Sequence, residues 1–296
     1  MLDFLTDKFK DAIRNLNGNL LYEVRIRANK PTLVNYGGKY CLLGPFGIAG
    51  SASGALRACY ADIEEIIYRA SEFSVYSVTE QLRQGFLTGS GGERIGLSGI
   101  FVYERGDSFT VKEVTSLNVR VPHEVRGCSL PVYKACFSGG LSSVLILSAP
   151  GCGKTTILRD LARQISETGP INILIDDERN EISAAYRDFS LDVGAYSDII
   201  RYSYKREALA CAVRAMRPDL IVTDELAGEE LAEVARCIRA GVYVVASAHA
   251  RDIASASQIP FLGQAIQEKL FDYYVVLAAG KIGEIEGIYD RELCAC

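Results

Sequence analysis

The sequence predicts an α/β chain in two parts: a domain with a mainly parallel sheet over residues 122–296, preceded by a smaller α+β domain over 1–121. Three observations carry this reading. Beyond Pro122, short apolar runs alternate with segments of helical period, the pattern of a sheet covered on both faces. Before Pro122, an amphipathic helical start gives way near Phe86 to strand-like alternation. Between Val144 and Asp160, an apolar run stops at a loop of small residues, and a helical pattern opens at Gly153-Lys154-Thr155.

The first elements follow from period and punctuation. Residues 2–16 place Leu2, Leu5, Phe9, Ile13 and Leu16 on one face of a helix. Leu21–Arg27 and Pro31–Tyr36 read as short strands around a turn, and 44–54, rich in glycine and small residues, as a loop. Asp62 suits the start of a helix over Ile63–Ser71, and a second helix is predicted near Val75–Arg83. Glu93–Tyr103 and Phe109–Val121 alternate as strands, and Glu-Arg-Gly-Asp at 104–107 reads as their hairpin turn.

In the second domain the predicted strands are Val144–Leu147, Asn172–Asp176, Leu220–Asp224, Val242–Ala246 and Tyr273–Leu277. Helices are predicted between most of them, at 154–168, 205–216, 228–240 and 252–259. No internal repeat or low-complexity segment interrupts the pattern.

Composition narrows the function classes. A length of 296 residues with 49% hydrophobic residues suffices for two sizeable cores. The net charge of −5 argues against a general polyanion binder, and no aromatic–basic interleaving marks a base-stacking surface. Nine cysteines without a Cys-x-x-Cys pair, beside only two histidines, speak for free thiols in a reducing cytoplasm and against a zinc site. No run reaches the roughly 18 apolar residues of a membrane span. The start, Met1 to Lys8, carries acids unlike a secretory signal, so any membrane association is expected through a partner.

The chemistry concentrates at predicted strand ends. Residues 148–156 read Ser-Ala-Pro-Gly-Cys-Gly-Lys-Thr-Thr. Pro150, Gly151, Cys152, Gly153, Lys154, Thr155 and Thr156 form the expected cradle for ATP: backbone N–H groups and a helix N-terminus face the phosphates. Lys154 supplies a point charge and the Thr155 hydroxyl a Mg²⁺ ligand. Ser148 stands where the strict pattern has its first glycine, and Cys152 reads as a small space-filling residue. The strand Leu220–Asp224 ends in Asp224-Glu225; Asp224 is expected to hold Mg²⁺ through water, and Glu225 to polarise the attacking water. A further acidic run, Asp176-Asp177-Glu178-Arg179-Asn180-Glu181, also follows a strand. So many carboxylates at one sheet edge repel unless a cation sits among them. Glu178 competes with Glu225 as the base, and the sequence leaves both open. His249 follows a strand at the same edge and suits a hydrogen bond to the γ-phosphate, whereas His123 reads as a linker residue. Arg94, Arg120, Arg126, Arg214 and Arg217 are candidates for an arginine that completes a neighbouring subunit's site.

Taken in order, these motifs resemble the stage III sporulation AA family, within the type II/type IV secretion ATPases of RecA-like fold. The resemblance rests on Glu-Arg-Ile-Gly-Leu-Ser-Gly at 93–99, Leu-Asn-Val-Arg-Val at 117–121 and the loop through Asp160. It continues with Asp-Asp-Glu-Arg-Asn-Glu-Ile at 176–182, Asp-Val-Gly at 192–194, Val-Arg-Ala-Met-Arg-Pro-Asp at 213–219, Asp-Glu-Leu at 224–226 and Ser-Ala-His at 247–249. It implies that 177–181 are the acidic box, with Glu178 the closest match to its catalytic glutamate and Glu181 second, and that His249 is the histidine-box residue. It also implies a homo-hexameric ring with nucleotide between the two domains. The ring would act from the mother-cell cytoplasm on a membrane-embedded sporulation complex. Tyr196, Ala227 and Ala250 depart from the family pattern, where arginine, glycine and glycine are usual.

The expected function is therefore an ATP-hydrolysing motor coupled to assembly of, or transport through, that complex. A RecA-like nucleic-acid-binding ATPase is the alternative, disfavoured by the acidic charge.

Overall fold

Leu2, Leu5 and Phe9 are all buried, yet only Asp7–Arg14 (α1) is helical. Leu2 takes a left-handed φ of +61°, and a turn closed by Leu5 N–H on the Leu2 carbonyl at 3.1 Å delivers the same apolar face without a helix. The computed structural model describes residues 2–73, 78–83, 85–103, 109–186, 189–201, 204–280 and 282–296. It divides into two units, Met1–His123 with Ala184–Ser190, and Glu124–Ser183 with Leu191–Cys296.

The first unit is a sheet with helices. Its strands are β1 (Leu21–Arg27), β2 (Leu33–Tyr36), β3 (Lys39–Gly44), β4 (Gly47–Ala49), β5 (Phe86–Thr88), β6 (Arg94–Tyr103) and β7 (Phe109–Arg120). They lie in the order β4-β3-β2-β1-β7-β6-β5, with antiparallel neighbours. The helices are α2 (Tyr60–Ala70) and α3 (Thr79–Arg83) with α1. Val24, Ile26, Ile95, Leu97, Leu117 and Val119 point to one face, where they pack with Phe9, Ile63 and Ile66. The expected loop at 44–54 contains the turn between β3 and β4, a hairpin too short for a periodic signal. Asp62 is not the residue preceding α2 but lies inside its first turn, where its carboxylate accepts the Cys59 N–H at 2.6 Å. The expected hairpin turn at 104–107, and 75–77 of the second predicted helix, lie outside the described residues. His123 has the structural surroundings of a junction residue: its ring nitrogens lie 2.9 Å from the Val121 carbonyl and 3.3 Å from that of Gly18.

The second unit holds a seven-stranded sheet. Its strands are β8 (Val144–Ser148), β9 (Ile173–Asp177), β10 (Ser197–Arg201), β11 (Leu220–Thr223), β12 (Tyr243–His249), β13 (Tyr273–Leu277) and β14 (Ile285–Asp290), in the order β10-β9-β11-β12-β8-β13-β14. Only β14 runs antiparallel to its neighbour. The helices are α4 (Leu130–Cys136), α5 (Lys154–Ser166), α6 (Lys205–Cys211), α7 (Leu231–Arg239), α8 (Ile253–Gln258) and α9 (Pro260–Gln267), and a π-helical turn, Ala212–Met216, extends α6.

Successive residues of the central strands serve opposite cores. Leu145, Leu147, Ile221, Val244 and Ala246 pack with α7 and α9, whereas Val144, Ile146, Leu220, Val222 and Val245 pack with α4 and α5. Each buried Val, Leu or Ile side chain contributes roughly 1.5–3 kcal/mol. The mainly parallel sheet follows from the uninterrupted apolar runs. The strands without such a run, β10 and β14, are the two edges.

Candidate functional site

The loop between β8 and α5 is shaped by two glycines. Gly151 and Gly153 have φ of +76° and +92°, the left-handed region that glycine enters without a Cβ penalty. A Cβ on Gly153 would also lie 3.0 Å from the Gly283 nitrogen. That nitrogen donates to the Cys152 carbonyl at 2.8 Å, so the segment after β13 braces the loop. Cys152 is buried, as its space-filling reading expects. Ser148 is buried too, and its hydroxyl donates to the Ala149 carbonyl at 2.8 Å. Pro150 is exposed, and Thr155 and Thr156 lie half-buried in the first turn of α5.

Sheet register brings the other candidates beside this loop. His249, the last residue of β12, pairs with Ser148 at the end of β8. The strand thus runs on past the expected end at Ala246. Lys154 Nζ lies 3.0 Å from His249 Nδ1, and 3.4 Å from both Ser148 Oγ and the Ala149 carbonyl. Burial lowers the pKa of Lys154, while the charges of Glu225 and Cys152 pull it up. On the other side of the ring, His249 Nε2 lies 3.2 Å from Glu225 Oε1. An ammonium donating to Nδ1 leaves the Nε2–H to donate to the carboxylate. The second oxygen of Glu225 is held by Arg179 Nη1 at 2.6 Å.

Behind this relay sit buried acids. Asp224, directly after β11, is almost fully buried, and burial raises its pKa to about 6 against the opposing charge of Lys205. Asp176 on β9 pairs with Thr223 in register and accepts the Thr223 hydroxyl at 2.9 Å. Burial pushes Asp176 up to about 7, and its Oδ1 has no hydrogen-bond partner. An orphaned buried oxygen beside a desolvated carboxylate is an environment that a hard divalent cation suits. Among the described residues no cluster of three or more His, Cys, Asp or Glu forms a cage for a metal by itself. Mg²⁺ commonly takes only one or two protein ligands and completes its shell with water and phosphate, so the donors on Thr155 and Asp224 fit it.

The acidic run after β9 divides by role. Asp177 accepts the backbone N–H groups of Glu181, Ile182 and Ser183 and the Ser183 hydroxyl, all at 2.6–3.0 Å, so its carboxylate holds the turn together. Buried Arg159 on α5 donates to the carbonyls of Glu181 and Ile182 from the other side. Glu178 faces the candidate site, 3.9 Å from Lys205 Nζ.

Lys205 had no distinguishing signal in the sequence, because a lysine opening an amphipathic helix is ordinary. Its ammonium is buried among the acids, 3.6 Å from Asp224 Oδ1, and bonds the main-chain carbonyls of Asp224 and Glu225. This is the cation that the crowded carboxylates demand.

Of the candidate arginines, Arg94, Arg126 and Arg214 have partners within their own units. Arg94 and Arg120 face each other across β6 and β7, and the Arg94 guanidinium lies 4.2 Å over the Phe86 ring. Arg126 pairs with Asp192 at 2.9 Å. Arg214 donates to the Ala210 carbonyl at 3.0 Å, and Arg217 ends the π-turn with a φ of +49°. Asp192 also lies in a turn in which its Oδ1 accepts the Gly194 N–H at 3.1 Å, which gives the Asp-Val-Gly motif a structural role. Tyr196 is exposed, and its N–H donates to Ser166 Oγ at 3.0 Å.

Comparison with known proteins agrees with this architecture. The stage III sporulation protein AA of Bacillus subtilis (strain 168) is 33% identical over 278 residues, covering 91% of this chain and 87% of the relative. Among solved structures, the ATPase DotB of Yersinia pseudotuberculosis aligns with a TM-score of 0.61 at 18% identity over 92% of this chain and 76% of that one. The pilus retraction motor PilT, solved with bound ADP, aligns with a TM-score of 0.59 at 15% identity over 90% of this chain and 76% of that one. At such identities the likeness establishes a shared fold, that of the RecA-like secretion ATPases, with its mainly parallel sheet and smaller α+β partner. The family model for sporulation stage III, protein AA, matches residues 8–294, and the chain belongs to that family.

Proposed function

We propose that this chain is an ATP hydrolase, the motor of a secretion-like sporulation complex. It couples hydrolysis of Mg-ATP to assembly of, or transport through, a membrane-embedded assembly. The observation that carries the reading is the continuous relay Lys154–His249–Glu225–Arg179 across the sheet edge, immediately beside the glycine loop and Asp224.

The loop N–H groups and the N-terminus of α5 bind the β- and γ-phosphates, with Lys154 adding a point charge. Thr155 and Asp224 would hold a Mg²⁺ ion, which when bound would neutralise charge on the phosphate oxygens. Glu178 or Glu225 orients the attacking water and accepts its proton. His249 fixes one oxygen of Glu225 through Nε2 while its Nδ1 faces Lys154, so the γ-phosphate ligand and the candidate base share one hydrogen-bonded ring. Arg94 or Arg120 of an adjacent copy in a homo-hexamer completes the stabilisation of charge on the γ-phosphate.

Membership of the sporulation family supports a place at a sporulation complex. No described helix is long and apolar enough to cross a membrane. By this reading the chain acts from the mother-cell cytoplasm and meets the complex through a membrane-embedded partner.

Steady-state hydrolysis tests the reading. Lys154→Ala abolishes turnover; activity surviving in it overturns the site. Glu178→Gln and Glu225→Gln, assayed separately, identify the base as the variant that binds ATP yet turns over about 100-fold more slowly or worse. Light scattering with and without ATP tests the ring, and a strict monomer under both conditions counts against it.

A further inference from the structure

Glu225 is placed at the relay by an uncommon backbone. Its φ is +35°, in the left-handed region that a side chain with a Cβ rarely adopts. Such a conformation persists only where surrounding bonds over-determine it. Around this turn those bonds are few and identifiable. The Glu225 N–H donates to Ser247 Oγ at 3.1 Å, and the Leu226 N–H to the Ser247 carbonyl at 2.7 Å. The carbonyls of Asp224 and Glu225 both turn toward one donor, the ammonium of Lys205, which is 3% exposed. The same ammonium lies 3.6 Å from Asp224 Oδ1 and 3.9 Å from Glu178 Oε2.

We propose that Lys205 is a positioning residue: its buried ammonium clamps the two carbonyls of the Asp224–Glu225 turn, and so holds Glu225 in the left-handed conformation that aims its carboxylate at His249. Lys205 sits behind the turn and acts through Glu225 and Asp224. The glycine loop is held by a separate bond, from the Gly283 N–H to the Cys152 carbonyl, and Lys154 keeps Ser148 Oγ at 3.4 Å as a partner outside the relay. Loss of the clamp therefore separates turnover from nucleotide binding. The inference rests on the ATPase reading for its kinetic consequence, but the clamp itself has a readout that needs no activity.

The test is Lys205→Met, which keeps the length of the side chain and removes both charge and donors. Three quantities are read on the full chain: binding of a fluorescent ATP analogue with Mg²⁺, turnover per bound site, and amide hydrogen exchange across residues 224–228. The expected result is analogue affinity within about threefold of wild type, turnover lowered at least about 20-fold, and faster exchange confined to that segment. Unchanged turnover with unchanged exchange overturns the proposal. So does a loss of affinity as large as the loss of turnover, because the residue then supports the fold of the whole site. Should Met leave the protein unfolded, Lys205→Gln, which keeps an amide donor but no charge, carries the same three readings. Lys154→Ala in the same assay separates the failures. Turnover retained there overturns the assignment of this site, no turnover in wild type overturns the ATPase reading, and in either case the exchange data alone decide on the clamp. Turnover lost there, beside a fully active Lys205→Met, overturns the clamp alone.

Discussion

Lys154 Nζ and His249 Nδ1 lie 3.0 Å apart at the ends of adjacent structural units, the head of α5 and the tail of β12. An ammonium in this position fixes the imidazole as the tautomer that carries its proton on Nε2, facing Glu225. The histidine thus bridges the lysine and the acid.

Replacing that bridge with His249→Ala is expected to leave ATP affinity within about threefold and to lower kcat by roughly 100-fold, the usual scale for losing a positioned proton-handling group. Steady-state kinetics with an independent binding measurement checks it. An unchanged kcat would take His249 out of the mechanism.

Asp176 gives a pH signature. Its carboxyl is raised by burial from 3.8 to about 7, so the native state holds the proton more tightly than the unfolded chain does. Stability from this group therefore falls as pH rises between about 4 and 7. Asp176→Asn removes the ionisation while keeping an acceptor for the Thr223 hydroxyl. In metal-free buffer, the melting temperature of the variant minus that of wild type should rise across that window and level off above it. A flat difference would mean that the carboxylate is ionised and well compensated throughout.

Gly194 has φ of +99°, and a Cβ there would lie 2.2 Å from the Ser166 Cβ at the end of α5. Gly194→Ala is expected to cost about 3 kcal/mol or more, combining backbone strain with a steric clash. Urea unfolding measures it. Adding Ser166→Gly should recover part of the loss by clearing the clash while leaving the strained φ. Full stability in the single variant would show that the turn can shift.

The fold was legible where burial is two-sided. Runs such as Val144–Leu147 and Tyr273–Leu277 are apolar without interruption because both faces of the strand meet helices. At the sheet edges that condition fails: β10 and β14 carry half-exposed mixed sequences. The clustering of Lys154, Asp224, Glu225 and His249 was legible because parallel strands end at one edge. The division of labour among the acids was not. Spacing does not tell that Asp177 turns back to cap its own loop while Glu178 faces Lys205. Nor does any pattern distinguish a lysine whose ammonium ends up buried from one that ends in water.

The hydrogen bond from Gly283 to the Cys152 carbonyl ties the phosphate loop to the connection between β13 and β14, near the far end of the chain. A load applied to that hairpin reaches the loop through this bond. The stiffness of the cradle is thus an inherited property, set by how firmly the last two strands are seated.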